Sequence, residues 1–140
     1  MGRLSYLLDS NVLSEASRPQ PNSNVLKLME SHHHEICTAA PILHELRYGL
    51  ARLPNGKRKR ALTGFFDSVL DQLLDVLPYD RAAALWHALE RARLSQQGLT
   101  PPHVDGQIAA IAAVNGLTLV TRNVSDFGSF SGLKVESWFR

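Results

Sequence analysis

A single cysteine, Cys37, stands in the 140 residues, so the chain closes no internal disulfide and supplies no Cys-rich zinc finger. Apolar runs are short, and none approaches the ~20 residues that a membrane-spanning helix needs. The first residues show no cationic stretch leading into a long apolar segment with a small-residue cleavage site, and a reducing cytoplasm is the expected location. Repeats and low-complexity stretches are absent too, and Pro, Gly and Asn fall at the spacing of short loops rather than of a domain linker. A large charge of one sign is also missing: fifteen Lys and Arg oppose thirteen Asp and Glu, a net +2. That near-balance excludes a polybasic, histone-like protein and gives no argument of its own for nucleic acid.

With 44% hydrophobic and 20% charged residues, the chain has the composition of a folded globular protein, and one domain over residues 1–140 is expected. Residues 4–8 form a short apolar run that ends on Asp9. Ser10 and Asn11 follow, then Val12, Leu13 and Ala16 at helical spacing, which reads as strand, turn, helix. A Pro- and Asn-rich loop over 18–24 leads to a helix carrying Val25, Leu26, Leu28 and Met29, and residues 36–40 are a second strand. Pro41 suits the first turn of a helix with an Ile42, Leu43, Leu46, Leu50 stripe, which Gly49 and Pro54 bring toward its end. After the Asn55-Gly56 turn, Leu62, Phe65, Phe66, Val69, Leu70 and Leu73 repeat with helical spacing, and a strand over 74–77 follows.

Residues 82–94 are an Ala- and Leu-rich helix that Gly98 terminates. Thr100 is expected to cap, and Pro101 to open, a helix lined by Val104, Ile108, Ile111 and Ala112 and closed by Gly116. An almost wholly apolar strand over 117–121 and an edge strand over 133–135 complete the pattern. Strands alternating with helices imply a layered α/β fold with a mainly parallel sheet, in which ligands bind beyond the carboxyl ends of the strands.

That rule singles out Asp9, directly after an apolar strand; a site carboxylate and an N-cap for the next helix are both open to it. Glu45 lies among apolar neighbours, and Ile42 three residues earlier removes the capping-box explanation, leaving a site residue or a solvated glutamate. Asp105 falls in a first helical turn, where the macrodipole alone is a sufficient structural account. Asn123 and Asp126 occupy the loop after the 117–121 strand, either completing an acidic cluster or forming a turn. Together these oxygen donors fall at one edge of one sheet. Carboxylates brought together repel unless a divalent cation lies between them, and oxygen-only ligands suit Mg²⁺ or Mn²⁺, which points to metal-assisted phosphodiester chemistry.

The stretches Leu7-Leu8-Asp9-Ser10-Asn11-Val12-Leu13-Ser14-Glu15, Glu45-Leu46-Arg47-Tyr48-Gly49, Asp105-Gly106-Gln107-Ile108-Ala109-Ala110 and Val120-Thr121-Arg122-Asn123, in this order and spacing, resemble the VapC-type ribonucleases of the PIN domain family. Arg18-Pro19-Gln20-Pro21-Asn22 is similar to one subgroup. The resemblance implies a three-layer α/β/α fold with a central, mainly parallel sheet and Mg²⁺- or Mn²⁺-dependent endoribonuclease activity. It also implies a homodimer, inhibition by a small cognate antitoxin, and contact with DNA only through that antitoxin. Asp9 and Asp105 fall on the family's metal ligands and Glu45 on the acid that binds metal through water or orients the nucleophile. Many relatives carry a fourth acid where this chain has Asn123, and Asp126 is the candidate to replace it; Ile42 stands where many carry a hydroxyl.

Arg122 and Asn11 are the candidates for holding substrate. Arg47, Arg52, Arg91 and Arg93 are further cations for the cleft, and residues 57–60, all basic, are either a solvated helix start or a phosphate or partner contact. His32, His33 and His34 with Cys37 do not complete a zinc set and read as a polar helix end. His103 reads as an exposed first-turn residue near the site, and Trp86, Tyr48 and Phe65 as core or oligomer contacts rather than base-stacking rings. A haloacid-dehalogenase-like phosphatase needs an acid two residues after Asp9, where Asn11 stands. The remaining rival is a weakly active or inactive module that works with its antitoxin as a DNA-bound regulatory complex.

Overall fold

The computed structural model describes residues 3–140. The apolar run before Asp9 forms β1 (Tyr6–Leu8), and β2 (Ile36–Ala39), β3 (Asp75–Leu77), β4 (Thr118–Val120) and β5 (Lys134–Glu136) join it in one sheet of order β3-β2-β1-β4-β5. Every pairing is parallel, with Leu7 opposite both Cys37 and Leu119. Parallel strands need crossovers, and among the described residues six α-helices supply all but the one from β4 to β5: α1 (Ser10–Ala16), α2 (Ser23–Ser31), α3 (Ala40–Ala51), α4 (Lys57–Leu70), α5 (Arg81–Gln96) and α6 (His103–Val114).

Consecutive residues of a strand face opposite sides of the sheet, and Leu7, Leu8, Leu119 and Val120 all have no exposed surface, as do Cys37, Thr38 and Ala39. Both faces are therefore covered, the α/β/α layering expected of near-continuous apolar strands. Burial pushes the Cys37 thiol up to about 12, helped by the Asp75 charge, so the cysteine is a core filler. Truncating Leu8 to alanine in such a core costs about 2–5 kcal/mol.

Boundaries differ from the sequence reading where local chemistry competes. The last helix begins at His103 with Pro102 as its cap residue in an extended conformation (φ −52°, ψ 140°), so Pro101 does not open it and Thr100 does not cap it. The reason is the tandem proline: a residue that precedes proline is biased away from helical backbone, and here both Thr100 and Pro101 precede one. Helix α3 starts at Ala40, one residue inside the expected second strand, with Pro41 in its first turn. Gly116 closes α6 with φ +67°, a conformation that any L side chain would strain. The basic run opens α4 as expected, but Lys59 turns back and donates to the Ala51 and Leu53 carbonyls, tying down the end of α3.

Residues 138–140 are held by α2 and β1. Asn24 and Asn22 side-chain amides donate to the Trp138 and Arg140 carbonyls, and the buried Trp138 ring packs edge-on against Tyr6.

Candidate active site

Parallel topology brings the carboxyl ends of β1, β2 and β4 to one edge, and the residues that follow them meet there. Asp9 succeeds β1 and is only 7% exposed. It caps α1, its Oδ1 accepting from the Ser10 amide at 2.8 Å, and its Oδ2 accepts from the Thr121 hydroxyl at 2.8 Å. The two readings of Asp9 thus hold at once: the cap fixes one oxygen and the site uses the same carboxyl group.

Asp9, Glu45, Asp105, Asn123 and Asp126 line one pit of about 440 Å³, together with Ser10, Asn11, His44 and Tyr48. Glu45 comes from α3 and is exposed, Asp105 from the first turn of α6, and Asp126 from a 3₁₀ helix (Val124–Phe127) in the loop after β4. Burial holds the Asp9 carboxyl above its usual range; the Thr121 and Ser10 hydrogen bonds oppose this, and the Glu45 and Asp126 charges add to it. Asp105 is pushed up to about 6, first by burial and then by the charges of Asp9, Asp126 and Glu45. The acids are near enough to repel, and no Lys or Arg stands in the pit lining to offset them. Among the described residues no three His, Cys, Asp or Glu side chains gather as a ready-made metal cage. A hard divalent ion that keeps several waters needs only one or two carboxylates, so the oxygen-only donor set still fits Mg²⁺ or Mn²⁺.

Thr121 is the site residue that sequence reasoning missed. It is fully buried, orients Asp9, and its oxygen also accepts from the Asn11 side-chain amide at 3.1 Å and the Asn123 amide at 3.2 Å. A hydroxyl at the end of an almost wholly apolar strand was the available signal, since a buried polar group needs a partner. Asn11 also accepts from the Arg122 amide, so both ends of its side chain bind the β4 loop to α1. The Arg122 guanidinium lies 4.2 Å from the Phe139 ring centroid, at the mouth of a second cavity.

That cavity, a groove of about 870 Å³, adjoins the pit through Ser10, Asn11 and Glu45. Helices α1, α3 and α4 form it, with Leu46, Leu50 and Phe66 in its floor and Arg18, Arg58 and Arg122 among its walls.

Other candidates lie elsewhere or are already engaged. Arg47 pairs with Asp67 and Asp71 across α3 and α4, Arg93 with Glu90, and neither lines the pit. His32, His33 and His34 follow α2 as a polar end, with His32 bonded to Glu35. Trp86 packs on Phe130 and Phe65 on Phe66, whereas Tyr48 is exposed at the pit rim. The His103 ring packs against His87 with centroids 4.9 Å apart and planes tilted by 53°, and His87 is a buried side chain of α5 bonded to Tyr79. His87 lies over Gly106, where an added Cβ would collide with Nε2 and stand 2.7 Å from Cδ2. Only glycine lets α5 approach the turn that presents Asp105.

The fold and the pit define a class: an all-parallel α/β protein with an acidic site at the carboxyl edge of its sheet. Residues 6–129 match the PIN domain model, and the chain belongs to the PIN domain family. Toxin FitB of Neisseria gonorrhoeae is 37% identical over 124 residues, covering 86% of this chain and 89% of that one. The tRNA(fMet)-specific endonuclease VapC of Shigella flexneri is 33% identical over 135 residues, covering 96% and 98%. Among solved structures, FitAB bound to a DNA fragment superposes with a TM-score of 0.86 at 32% identity over 96% of both chains. DNA-bound VapBC from Salmonella typhimurium does so with 0.84 at 29% identity over 96% and 98%.

Proposed function

We propose that residues 1–140 work as one PIN domain, a metal-dependent endoribonuclease that acts in the cytoplasm as the toxin of a toxin–antitoxin pair. The observation that carries the proposal is the pit itself, in which Asp9 and Asp105 are held above the ordinary carboxylate range by burial and by one another's neighbours. A site that stores uncompensated negative charge is matched to a divalent cation. Asp9 and Asp105 are assigned as the direct ligands, and Glu45 as the acid that holds a coordinated water or orients the nucleophile. Mg²⁺ or Mn²⁺ bound there would supply an activated water and a counter-charge for the negative charge that develops on the phosphate oxygens. Asp126, in the same pit, is assigned the place of the missing fourth acid, with Asn123 at the rim.

Thr121 holds Asp9 in one orientation, and Asn11 keeps the β4 loop against α1, so the ligand geometry is set before metal or RNA arrives. Names of the relatives agree with RNA as substrate: the Shigella protein is called a tRNA(fMet)-specific endonuclease.

The groove beside the pit fits an antitoxin segment. Its Leu46, Leu50 and Phe66 floor takes apolar side chains, Arg18 and Arg58 take acidic ones, and a basic side chain at its inner end reaches Glu45 and the pit. Exposed Leu85 and Leu89, one helical turn apart on α5, offer an apolar face for the homodimer. DNA contact is assigned to the antitoxin. RNA cleavage by the purified chain should require Mg²⁺ or Mn²⁺, stop with a chelator, and vanish in Asp9→Ala. Cleavage that persists unchanged in Asp9→Ala, or without metal, refutes the assignment, and a chain that binds antitoxin but cleaves nothing is the regulatory module.

A further inference from the structure

The outward face of α3 carries a feature that the acids do not use. His44, Tyr48 and Arg52 recur at four-residue spacing, which stacks them along one helical face. All three are exposed, Tyr48 by 57%. The His44 and Tyr48 ring planes differ by 13° with centroids 6.1 Å apart, and the Arg52 guanidinium carbon lies 4.6 Å from the Tyr48 centroid. His44 and Tyr48 are also in the wall of the acidic pit, next to Glu45. An exposed aromatic row of this kind adds little to fold stability, and it begins where the reacting phosphate would sit.

We infer that the His44–Tyr48–Arg52 row is a subsite for an unpaired nucleobase of single-stranded RNA flanking the cleaved bond. The inference rests on the ribonuclease reading above and adds to it where the neighbouring nucleotide goes. Acids that hold a metal repel the rest of the phosphate chain, so binding energy for RNA must come from the pit's surroundings. Flat π faces provide it without regard to sequence, because every base presents one, and the adjacent guanidinium stacks or pairs with a phosphate. Bases in a duplex keep their faces covered, so the row selects splayed, single-stranded RNA.

The test uses the full chain carrying Asp105→Asn, which binds without cutting, and reads fluorescence anisotropy of a labelled oligoadenylate and of an abasic ribo-oligomer of equal length. Tyr48→Ala should weaken oligoadenylate binding about tenfold, and Tyr48→Phe should leave it within about twofold. The abasic oligomer should bind the Asp105→Asn protein about tenfold more weakly than oligoadenylate does, and lose nothing further in Tyr48→Ala. Equal losses on both oligomers, or no loss on either, overturn the subsite. So does a Tyr48→Ala protein whose only change is the number of copies per particle in sedimentation, which makes the row a subunit contact. Metal-dependent cleavage that is lost in Asp9→Ala yet indifferent to Tyr48→Ala removes the subsite and leaves the nuclease; Tyr48-dependent binding in a chain that never cleaves removes the nuclease and leaves the subsite.

Discussion

Helix α1 is bracketed by two buried carboxylates, Asp9 just before it and Glu15 in its last turn, 7% and 6% exposed. By burial they are alike, and by surroundings they are opposite. Glu15 is fully engaged: Oε2 accepts from the Asn22 amide at 2.8 Å and Oε1 from Arg18 at 3.3 Å, which fixes the loop between α1 and α2. Asp9 also accepts two hydrogen bonds, yet burial holds its carboxyl above the ordinary range and the Glu45 and Asp126 charges it faces add to that. Burial of an acid therefore does not by itself mark a site. Burial together with neighbouring acids that the local hydrogen bonds do not offset does.

The comparison is sharpest in activity. Asp9→Ala should lower RNA cleavage by at least about a hundredfold, corresponding to more than about 2.7 kcal/mol of barrier, while circular dichroism stays native. Glu15→Ala should do the reverse, removing about 2 kcal/mol in denaturant titration by stranding the Asn22 amide, with cleavage retained well below the new midpoint. Equal effects of the two substitutions on activity would erase the distinction. Gly106→Ala should cost about 1–2 kcal/mol through overpacking against His87, and the double variant with His87→Ala should lose less than the two single losses added together. Simple additivity there would mean that the imidazole does not set the α6 turn.

Protonation separates the pit from ordinary carboxylates too. A group raised to about 6 must lose its proton to bind metal, so Mn²⁺ affinity should fall about tenfold per pH unit below that value and level off above it, as calorimetric titration will show. The smallest effect is on the metal-free fold. Between the usual 3.8 and about 6 the folded chain keeps the Asp105 proton that the unfolded chain releases, so stability falls as pH rises through that window. Asp105→Asn should reduce this fall, leaving the part that the raised Asp9 carboxyl contributes, and raise metal-free stability at neutral pH by less than about 1 kcal/mol, the residue being partly exposed. A loss of stability would contradict the repulsion.

Much of the site was legible because strand ends are. Asp9 ends an apolar run, and Asn123 and Asp126 follow another; the sheet rule then sends them to one edge. Glu45 was legible mainly as an anomaly without a capping partner. Thr121 escaped notice because a hydroxyl at a strand end has many uses, and Tyr48 was read as core or contact because helical spacing places a ring on a face without saying what lies opposite. The tandem proline misled the start of α6, since one proline opens a helix and two delay it.

The net charge of +2, first read as no argument for RNA, acquires a shape in the fold: with Asp9, Glu45, Asp105 and Asp126 drawn into one pit, fifteen cations face nine acids elsewhere. By itself the sequence determined the alternation of strand and helix, the burial of the strands and which residues stand at their ends, because each of these is written in the local period of apolar residues. Only the tertiary structure decided that Asp9, Glu45, Asp105 and Asp126 share a cavity, that Glu15 finds partners while Asp9 keeps unmatched charge, and that His87 lies over Gly106. Those distances join residues far apart in the chain, and they follow from strand order and helix packing, which no local pattern encodes.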